Sequence, residues 1–378
     1  MKKTLIISLE FPPHIGGIAT YVDALAGSLE PEKTIVLAPP HKDAQFWDEG
    51  SYYTILRRPF LYKFFWPRWL RLYFEVKKIV REQKIELIML HHILPVGYVA
   101  YLIKKRLKIP YIIFSHGTDI AYASQDKKKK KKASVVAQGS LQIIANSESL
   151  KQRTIQAFPE LAQKITVLYP CPDQDFFLPP PQEQLQLMRE QLALEGKKVI
   201  LTVSRLAEGK GFPLLVRVMS QIFQSVPHLV WIIVGDGPKK NFIIEDIRAH
   251  NLQNVVRFIG EIPHQNLKQY YYLADLFILL THPDPKGTEE GLGLVFLEAS
   301  AVGLPIVAGR SGGVEEGVIH GKTGLVVDSY QGMEVVGAVS RLLNDRPFAL
   351  ELGKNAQQRI QQEFHWHEQL KKIIQWLV

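Results

Sequence analysis

The sequence predicts an α/β protein built from two doubly wound parallel-sheet units in tandem, and three observations carry that prediction. The chain has 378 residues, more than one hydrophobic core usually organises. Short β-branched and leucine-rich runs alternate with amphipathic stretches along its whole length. The runs are near-continuously apolar, the pattern of strands covered by helices on both faces.

Six such runs occupy residues 5–9, 34–38, 85–90, 111–114, 141–145 and 165–168, and six more occupy 199–203, 229–234, 255–258, 276–280, 305–308 and 324–327. Between the two series Leu178, Pro179, Pro180, Pro181 and Gln182 form a stiff stretch that reads as the connection between domains. The expected units are therefore residues 1–177 and 183–361, with a last amphipathic helix over 362–378. The N-terminal apolar run is interrupted by Glu10 and Pro12. It is too short for a signal peptide or a membrane span and reads as a first buried strand. The one cysteine, Cys171, excludes an internal disulfide and fits a reducing compartment.

The net charge of +9 is unevenly placed: residues 1–175 hold 26 Lys and Arg against 16 Asp and Glu, a balance of +10. A field of one sign confined to one half implies an anionic partner there.

In doubly wound sheets, ligands bind beyond the carboxyl ends of the strands, and the distinctive motifs follow strands. After the first run comes Phe11-Pro12-Pro13-His14-Ile15-Gly16-Gly17-Ile18, and after the fourth Ser115-His116-Gly117-Thr118-Asp119. In the second series the loops are Ser204-Arg205-Leu206-Ala207-Glu208-Gly209-Lys210-Gly211, Gly235-Asp236-Gly237-Pro238, Glu289-Glu290-Gly291-Leu292-Gly293 and Ser311-Gly312-Gly313. Arg205 and Lys210 share one strand-to-helix loop and suit a diphosphate, the guanidinium gripping two oxygens and the ammonium supplying a mobile charge. Gly16 and Gly17 open a helix whose first N–H groups can meet phosphate oxygens. Glu290 lies in a loop and Glu298 eight residues on, in a predicted helix, with Gly291 and Gly293 between them. Carboxylates suit sugar hydroxyls, because a vicinal diol donates hydrogen bonds in pairs.

Together these motifs resemble glycosyltransferase family 4, the retaining enzymes of the GT-B fold. The resemblance runs from Phe11-Pro12-Pro13 through Val234-Gly235-Asp236-Gly237-Pro238 and Phe258-Ile259-Gly260 to the Glu290/Glu298 pair, with Glu298-Ala299-Ser300-Ala301 and Gly303 and Pro305 trailing it. It implies two Rossmann-like domains facing a central cleft, a C-terminal helix crossing back to the first domain, and hinges near 175–182 and 358–364. It implies that Glu298 holds the nucleotide ribose and Glu290 the sugar hydroxyls, and that Arg205 and Lys210 bind the diphosphate. His116 would stand near the transferred sugar and the acceptor. The donor-binding set implied is Gly16, Gly17, Gly235, Ile262, Gly291, Leu292, Gly293 and Glu298; the catalytic set is His116, Arg205, Lys210 and Glu290. No metal or other cofactor is expected, the nucleotide sugar being a co-substrate. The pattern leans toward mannosyltransferases that use GDP-mannose, such as the phosphatidylinositol mannoside enzymes, with users of UDP-glucose or UDP-N-acetylglucosamine as the alternative. One departure is Tyr169-Pro170-Cys171-Pro172-Asp173, where the family usually carries an Asn-Gly turn.

Residues 57–81 hold eight Lys and Arg, one acid (Glu75) and two Trp among many aromatics. Basic residues interleaved with Trp and Phe mark a segment for a membrane interface; the opposing reading is a core helix and loop, beginning near Arg68 after Pro67. Lys127 to Lys132 form a second basic run, a solvated loop or helix start. Arg68, Trp69, Arg71, Lys127 and Lys128 are the residues expected to face an anionic membrane and the lipid-linked or glycan acceptor. The expected location is cytoplasmic, peripheral at the inner face of the membrane.

Other classes fit less well. No nucleic-acid recognition module is visible, and no Gly-x-Gly-x-x-Gly follows either first strand, as a dinucleotide oxidoreductase would require. A sugar-nucleotide epimerase or a phosphorylase of the same fold is the serious rival.

Overall fold

The computed structural model describes residues 1–378 except Phe65, Gln125, Pro227, Lys286 and Thr288. Phe65, part of the aromatic-basic segment, therefore lies outside the described residues. The chain divides into two compact units, Met1–Pro170 together with Trp366–Val378, and Cys171–His365.

The first unit is built on a seven-stranded sheet of β1 (Thr4–Ile7), β2 (Thr34–Ala38), β3 (Thr54–Arg57), β4 (Leu87–Leu90), β5 (Tyr111–Ser115), β6 (Ile143–Ala145) and β7 (Ile165–Val167). Its order is β3-β2-β1-β4-β5-β6-β7. All pairings are parallel, with Leu5 opposite Ile35 on one side and Ile88 on the other. Side chains of β1 alternate between faces, as strand geometry requires. Leu5 and Ile7 join one core with Val76, Val99 and Val136, while Ile6 joins the other with Val22, Leu25, Ile373 and Leu377. Every residue of β1, β2, β4 and β5 is buried, which accounts for their uninterrupted apolar runs.

Six of these strands match expected runs; β3 does not. It is an edge strand of four residues, exposed at Thr54, partly buried from Ile55 on and ending in Arg57, so neither period nor apolarity marks it. The helix expected near Arg68 runs Leu70–Glu82, and Leu72, Tyr73, Val76, Ile79 and Val80 are buried in the core. The segment is thus divided: its helix is a core element, whereas the loop before it leaves Phe64 100% and Trp66 84% exposed. The six-lysine run forms the first turns of the helix Lys127–Gly139, where Asp126 accepts a hydrogen bond from the Lys129 N–H.

The second unit holds β8 (Lys198–Val203), β9 (Leu229–Val234), β10 (Val256–Gly260), β11 (Leu276–Leu279), β12 (Ile306–Gly309) and β13 (Leu325–Val327), in the order β10-β9-β8-β11-β12-β13. All six are parallel and correspond to expected runs. In both sheets the order reverses beside the first strand, between β1 and β4 and between β8 and β11. Such a switch point opens a crevice at the strands' carboxyl ends.

The chain passes between units at Pro170/Cys171, ahead of the Leu178–Pro181 stretch that the sequence singled out. The reason is Phe176, buried with its ring edge-on to Tyr271 at 5.6 Å. The Tyr272 hydroxyl donates to the Phe176 carbonyl, and Lys268 pairs with Asp175 at 2.5 Å. These contacts tie residues 173–178 to the second unit, and the prolines lead into its helix Gln182–Gln191. Cys171 is buried.

At the other crossing the helix Arg346–Glu363 ends, and the chain returns to the first unit as two short helices, Trp366–Lys371 and Ile374–Leu377, rather than one. Ile373, fully buried, takes a non-helical ψ of 3° between them, so burial of this residue replaces helix continuity. The Lys2 N–H donates to the Leu377 carbonyl at 2.6 Å, fastening the last residues beside β1.

Candidate active site

In the second unit the site residues occupy loops on either side of the switch point. Arg205 leaves β8 exposed to solvent. At the end of the same loop Lys210 Nζ lies 2.5 Å from Glu290 Oε2, in the loop that follows β11. The ammonium expected on a diphosphate therefore also holds the carboxylate expected on the sugar. Burial alone would raise the Glu290 carboxyl; the Lys210 charge and the Gly291 N–H overcome it and hold the group below the usual carboxylate range.

The peptide of Glu290 is clasped by the loop after β12. The Gly313 N–H donates to the Glu290 carbonyl at 3.1 Å. Gly312 has φ +54°, and a Cβ there would lie 2.0 Å from the same carbonyl oxygen. Ser311-Gly312-Gly313, quoted from the sequence without a role, is thus what positions Glu290. Gly235 has a comparable duty, since a Cβ on it would meet the Ser204 carbonyl at 2.0 Å. Its lack of a side chain serves the packing of the loops after β8 and β9.

Glu298 sits in the helix Leu294–Val302 and is 1% exposed. Tyr271 Oη donates to its Oε2 at 2.8 Å, and His264 Nε2 donates to its Oε1 at 2.7 Å. Burial, then the neighbouring Glu298 charge, push the Tyr271 hydroxyl well above its ordinary range, so it remains a donor. Each carboxylate oxygen has two lone pairs, so one per oxygen is left for a further donor. Neither Tyr271 nor His264 was singled out by sequence, because a tyrosine and a histidine 27 and 34 residues away carry no spacing signal. Ile262, in the loop after β10, is half-buried, and Leu292 is buried beside Gly291 and Gly293.

In the first unit the helix Gly17–Gly27 begins with no capping side chain and no acid in its first turn. Its free N–H groups and positive dipole end suit an anion. A Cβ on Gly17 would meet nothing within 4 Å, so packing does not demand this glycine, in contrast to Gly235. Gly16 is likewise open, its nearest contact being ordinary van der Waals distance at 3.8 Å. Arg57, delivered by β3, makes a bidentate pair with Asp48 and donates to the Pro12 carbonyl, which fixes the approach to Gly16.

His116 follows β5 and is half-buried. Its Nε2 lies 3.0 Å from Nδ1 of His91, which follows β4. Asp119, 5% exposed, accepts from the Ser115 hydroxyl and the His116 and Gly117 N–H groups through Oδ1, and from the Ile93 N–H through Oδ2. One carboxylate thus orders the loops after β4 and β5. Burial pushes His116 down to about 4, with Asp119 opposing and His92 reinforcing the shift, so the ring is neutral near pH 7.

The membrane-facing set divides. Trp69 packs edge-on against Tyr98 at 5.1 Å, so it is a packing residue and not an outward anchor. Arg68 donates to the Tyr62 carbonyl, and Arg71 stands 5.8 Å from the Tyr62 ring. Lys127 and Lys128 are exposed. Among the described residues no helix is long and apolar enough to cross a membrane, and no group of three or more His, Cys, Asp or Glu could hold a metal ion.

Two Rossmann-like parallel-sheet units, with a basic pair and one carboxylate in the strand-end loops of the second and another carboxylate in the helix that follows, define an enzyme of the GT-B class that handles a nucleotide sugar. Family comparison agrees: residues 184–359 match the model described as glycosyl transferases group 1, and residues 15–176 that described as glycosyltransferase family 4. The chain belongs to this glycosyltransferase family and is a hexosyltransferase drawing on a nucleotide-sugar donor. It is 31% identical over 362 residues to a GDP-mannose-dependent alpha-(1-6)-phosphatidylinositol monomannoside mannosyltransferase of Mycolicibacterium smegmatis, covering 92% of this chain and 91% of that one. It is 25% identical over 292 residues to an N-acetyl-alpha-D-glucosaminyl L-malate synthase of Bacillus anthracis, covering 77% and 74%. Among solved structures, Anabaena HepE in complex with UDP and glucose matches with TM-score 0.84 at 22% identity, over 100% of this chain and 99% of that one. Sucrose-phosphate synthase of Thermosynechococcus elongatus matches with TM-score 0.82 at 24% identity, over 100% and 98%.

Proposed function

We propose that this enzyme transfers mannose from GDP-mannose, with retention of anomeric configuration, to a lipid-linked or glycan acceptor at the inner surface of the cytoplasmic membrane. The observation that carries the reading is the Lys210–Glu290 contact, with Arg205 exposed on the same loop. It sets cationic groups for a diphosphate beside a carboxylate for sugar hydroxyls. As the anomeric carbon–oxygen bond to the diphosphate breaks, negative charge grows on the leaving oxygen, and Arg205 and Lys210 stabilise it electrostatically. The acceptor oxygen bonds to the anomeric carbon on the same face. Its proton passes to the departing phosphate oxygen, which makes a dedicated base and a metal unnecessary. Glu298 holds the ribose hydroxyls through its two remaining lone pairs.

The mannose and GDP assignments are supported by the Mycolicibacterium smegmatis relative. A UDP-sugar-dependent glucosyl or N-acetylglucosaminyl transferase is the second reading, favoured by the Bacillus anthracis relative and by HepE bound to UDP and glucose. The membrane assignment is supported by the positive balance of residues 1–175 and by the outward Phe64 and Trp66.

Thermal shift with matched concentrations of GDP and UDP decides the base, because a ligand raises the melting temperature only as far as it binds the folded state. GDP is expected to give the larger shift; a larger UDP shift overturns the donor assignment. Transfer from GDP-mannose is expected to persist in a chelator.

A further inference from the structure

We propose that His91 is a positioning residue that sets the tautomer of His116, so that His116 carries its proton on Nδ1 and presents an N–H donor to a sugar hydroxyl or phosphate oxygen. The nature of that acceptor rests on the functional reading above; the tautomer does not.

β4 and β5 are paired in parallel register, with Leu90 opposite Ile113. His91 and His116 come just after their carboxyl ends, so the sheet and the Asp119 hydrogen bonds fix the distance between the two rings. The rings are close to coplanar, at 16°, with His91 Nδ1 and His116 Nε2 3.0 Å apart. A contact of this length between neutral imidazoles shares one proton, and one ring must donate.

The partners around His91 decide which. His91 is fully buried, stacked on Phe114 at 4.8 Å, and among the described residues its Nε2 is buried without a hydrogen-bond partner. If His116 donated through Nε2, His91 would have to keep its proton on Nε2, leaving a buried N–H unmet. If His91 donates through Nδ1, Nε2 is a bare lone pair. Orphaned buried N–H groups are rarer than under-satisfied acceptors, so the second arrangement holds. Doubly protonated rings are disfavoured: burial, then the neighbouring His116 and His92, keep His91 well below its usual range. The acid beside His116, Asp119, spends its oxygens on backbone N–H groups and the Ser115 hydroxyl.

With Nε2 of His116 accepting, its proton belongs on Nδ1. That atom takes no hydrogen bond among the described residues, on a residue that is partly buried. Free histidine prefers the Nε2–H form, so the structure imposes the rarer tautomer.

The test is long-range proton–nitrogen correlation spectroscopy on the full chain labelled with ¹⁵N-histidine, without substrate at pH 7. His116 is expected as the Nδ1–H tautomer in the wild type. It should stay so in His91→Asn, whose amide can stand where Nδ1 stood, and return to the Nε2–H form in His91→Leu. Turnover in His91→Leu should fall roughly tenfold, with nucleotide KM unchanged and His91→Asn restoring most of the loss. An Nε2–H signal for wild-type His116 overturns the proposal without any variant having to fold. Wild-type turnover in His91→Leu overturns the positioning role. Because the spectrum is recorded without substrate, an error in the donor assignment would leave it unchanged.

Discussion

Lys210 and Glu290 stand 80 residues apart in sequence and 2.5 Å apart in the fold, and the ammonium keeps the buried carboxylate charged. Arg205→Ala and Lys210→Ala are both expected to lower turnover by about two orders of magnitude or more while circular dichroism stays native; near-wild-type rates in either would remove the diphosphate role. Lys210→Ala has a second effect, since it leaves Glu290 without its compensating charge. The folded pKa of Glu290 lies below its ordinary 4.5. The pair therefore stabilises the fold above the unfolded pKa, and this contribution is lost as pH falls through the folded value. Denaturant titrations from pH 7 down to pH 3 should show Lys210→Ala less stable than wild type at the upper end and converging on it at the lower. The types of residue at this site were legible in the sequence, because glycines and charges after apolar runs mark strand-end loops. The partners were not. Tyr271, His264 and His91 belong to separate loops and helices, and only the tertiary fold brings them to their neighbours.

At the level of elements, strands buried on both faces were readable because burial leaves them with apolar runs, as in the Ile-Ile core of β1 or the Leu229–Val234 run of β9. The edge strand β3 escaped because Thr54 is exposed and Arg57 is held by Asp48, so polar residues can stand in it. The segment 57–81 shows the converse difficulty: aromatic and basic residues look alike whether they fill a core or meet a membrane. Burial separates them, placing Leu72, Tyr73 and Val76 inside and leaving Phe64 and Trp66 outside, beside exposed Lys63. The membrane prediction therefore belongs to the loop before the helix. Flotation with vesicles containing anionic lipid should recover the wild-type enzyme. Phe64→Ala/Trp66→Ala, which removes no buried side chain, should float several-fold less. Equal recovery with and without anionic lipid would dismiss the idea.

At the scale of the molecule, the first unit is assembled from two distant parts of the chain. Ile373 and Leu377 are 0% and 2% exposed in the same core as Ile6 and Val36. Trp366 lies edge-on to Tyr21 at 5.3 Å, and Tyr21 in turn is 5.2 Å from His116. Deleting residues 366–378 should remove about 1.5–3 kcal/mol for each buried apolar side chain lost. Differential scanning calorimetry should then show the first unit melting earlier while the second keeps its transition; a single unchanged transition would refute this. The same arrangement bears on synthesis. Domains usually fold in the order in which the ribosome delivers them, but here the first unit waits for residues made after the whole of the second. The whole of Cys171–His365 is synthesised before Ile373 and Leu377 exist, so the unit carrying His116 lacks part of its core until the chain of the other unit has been made.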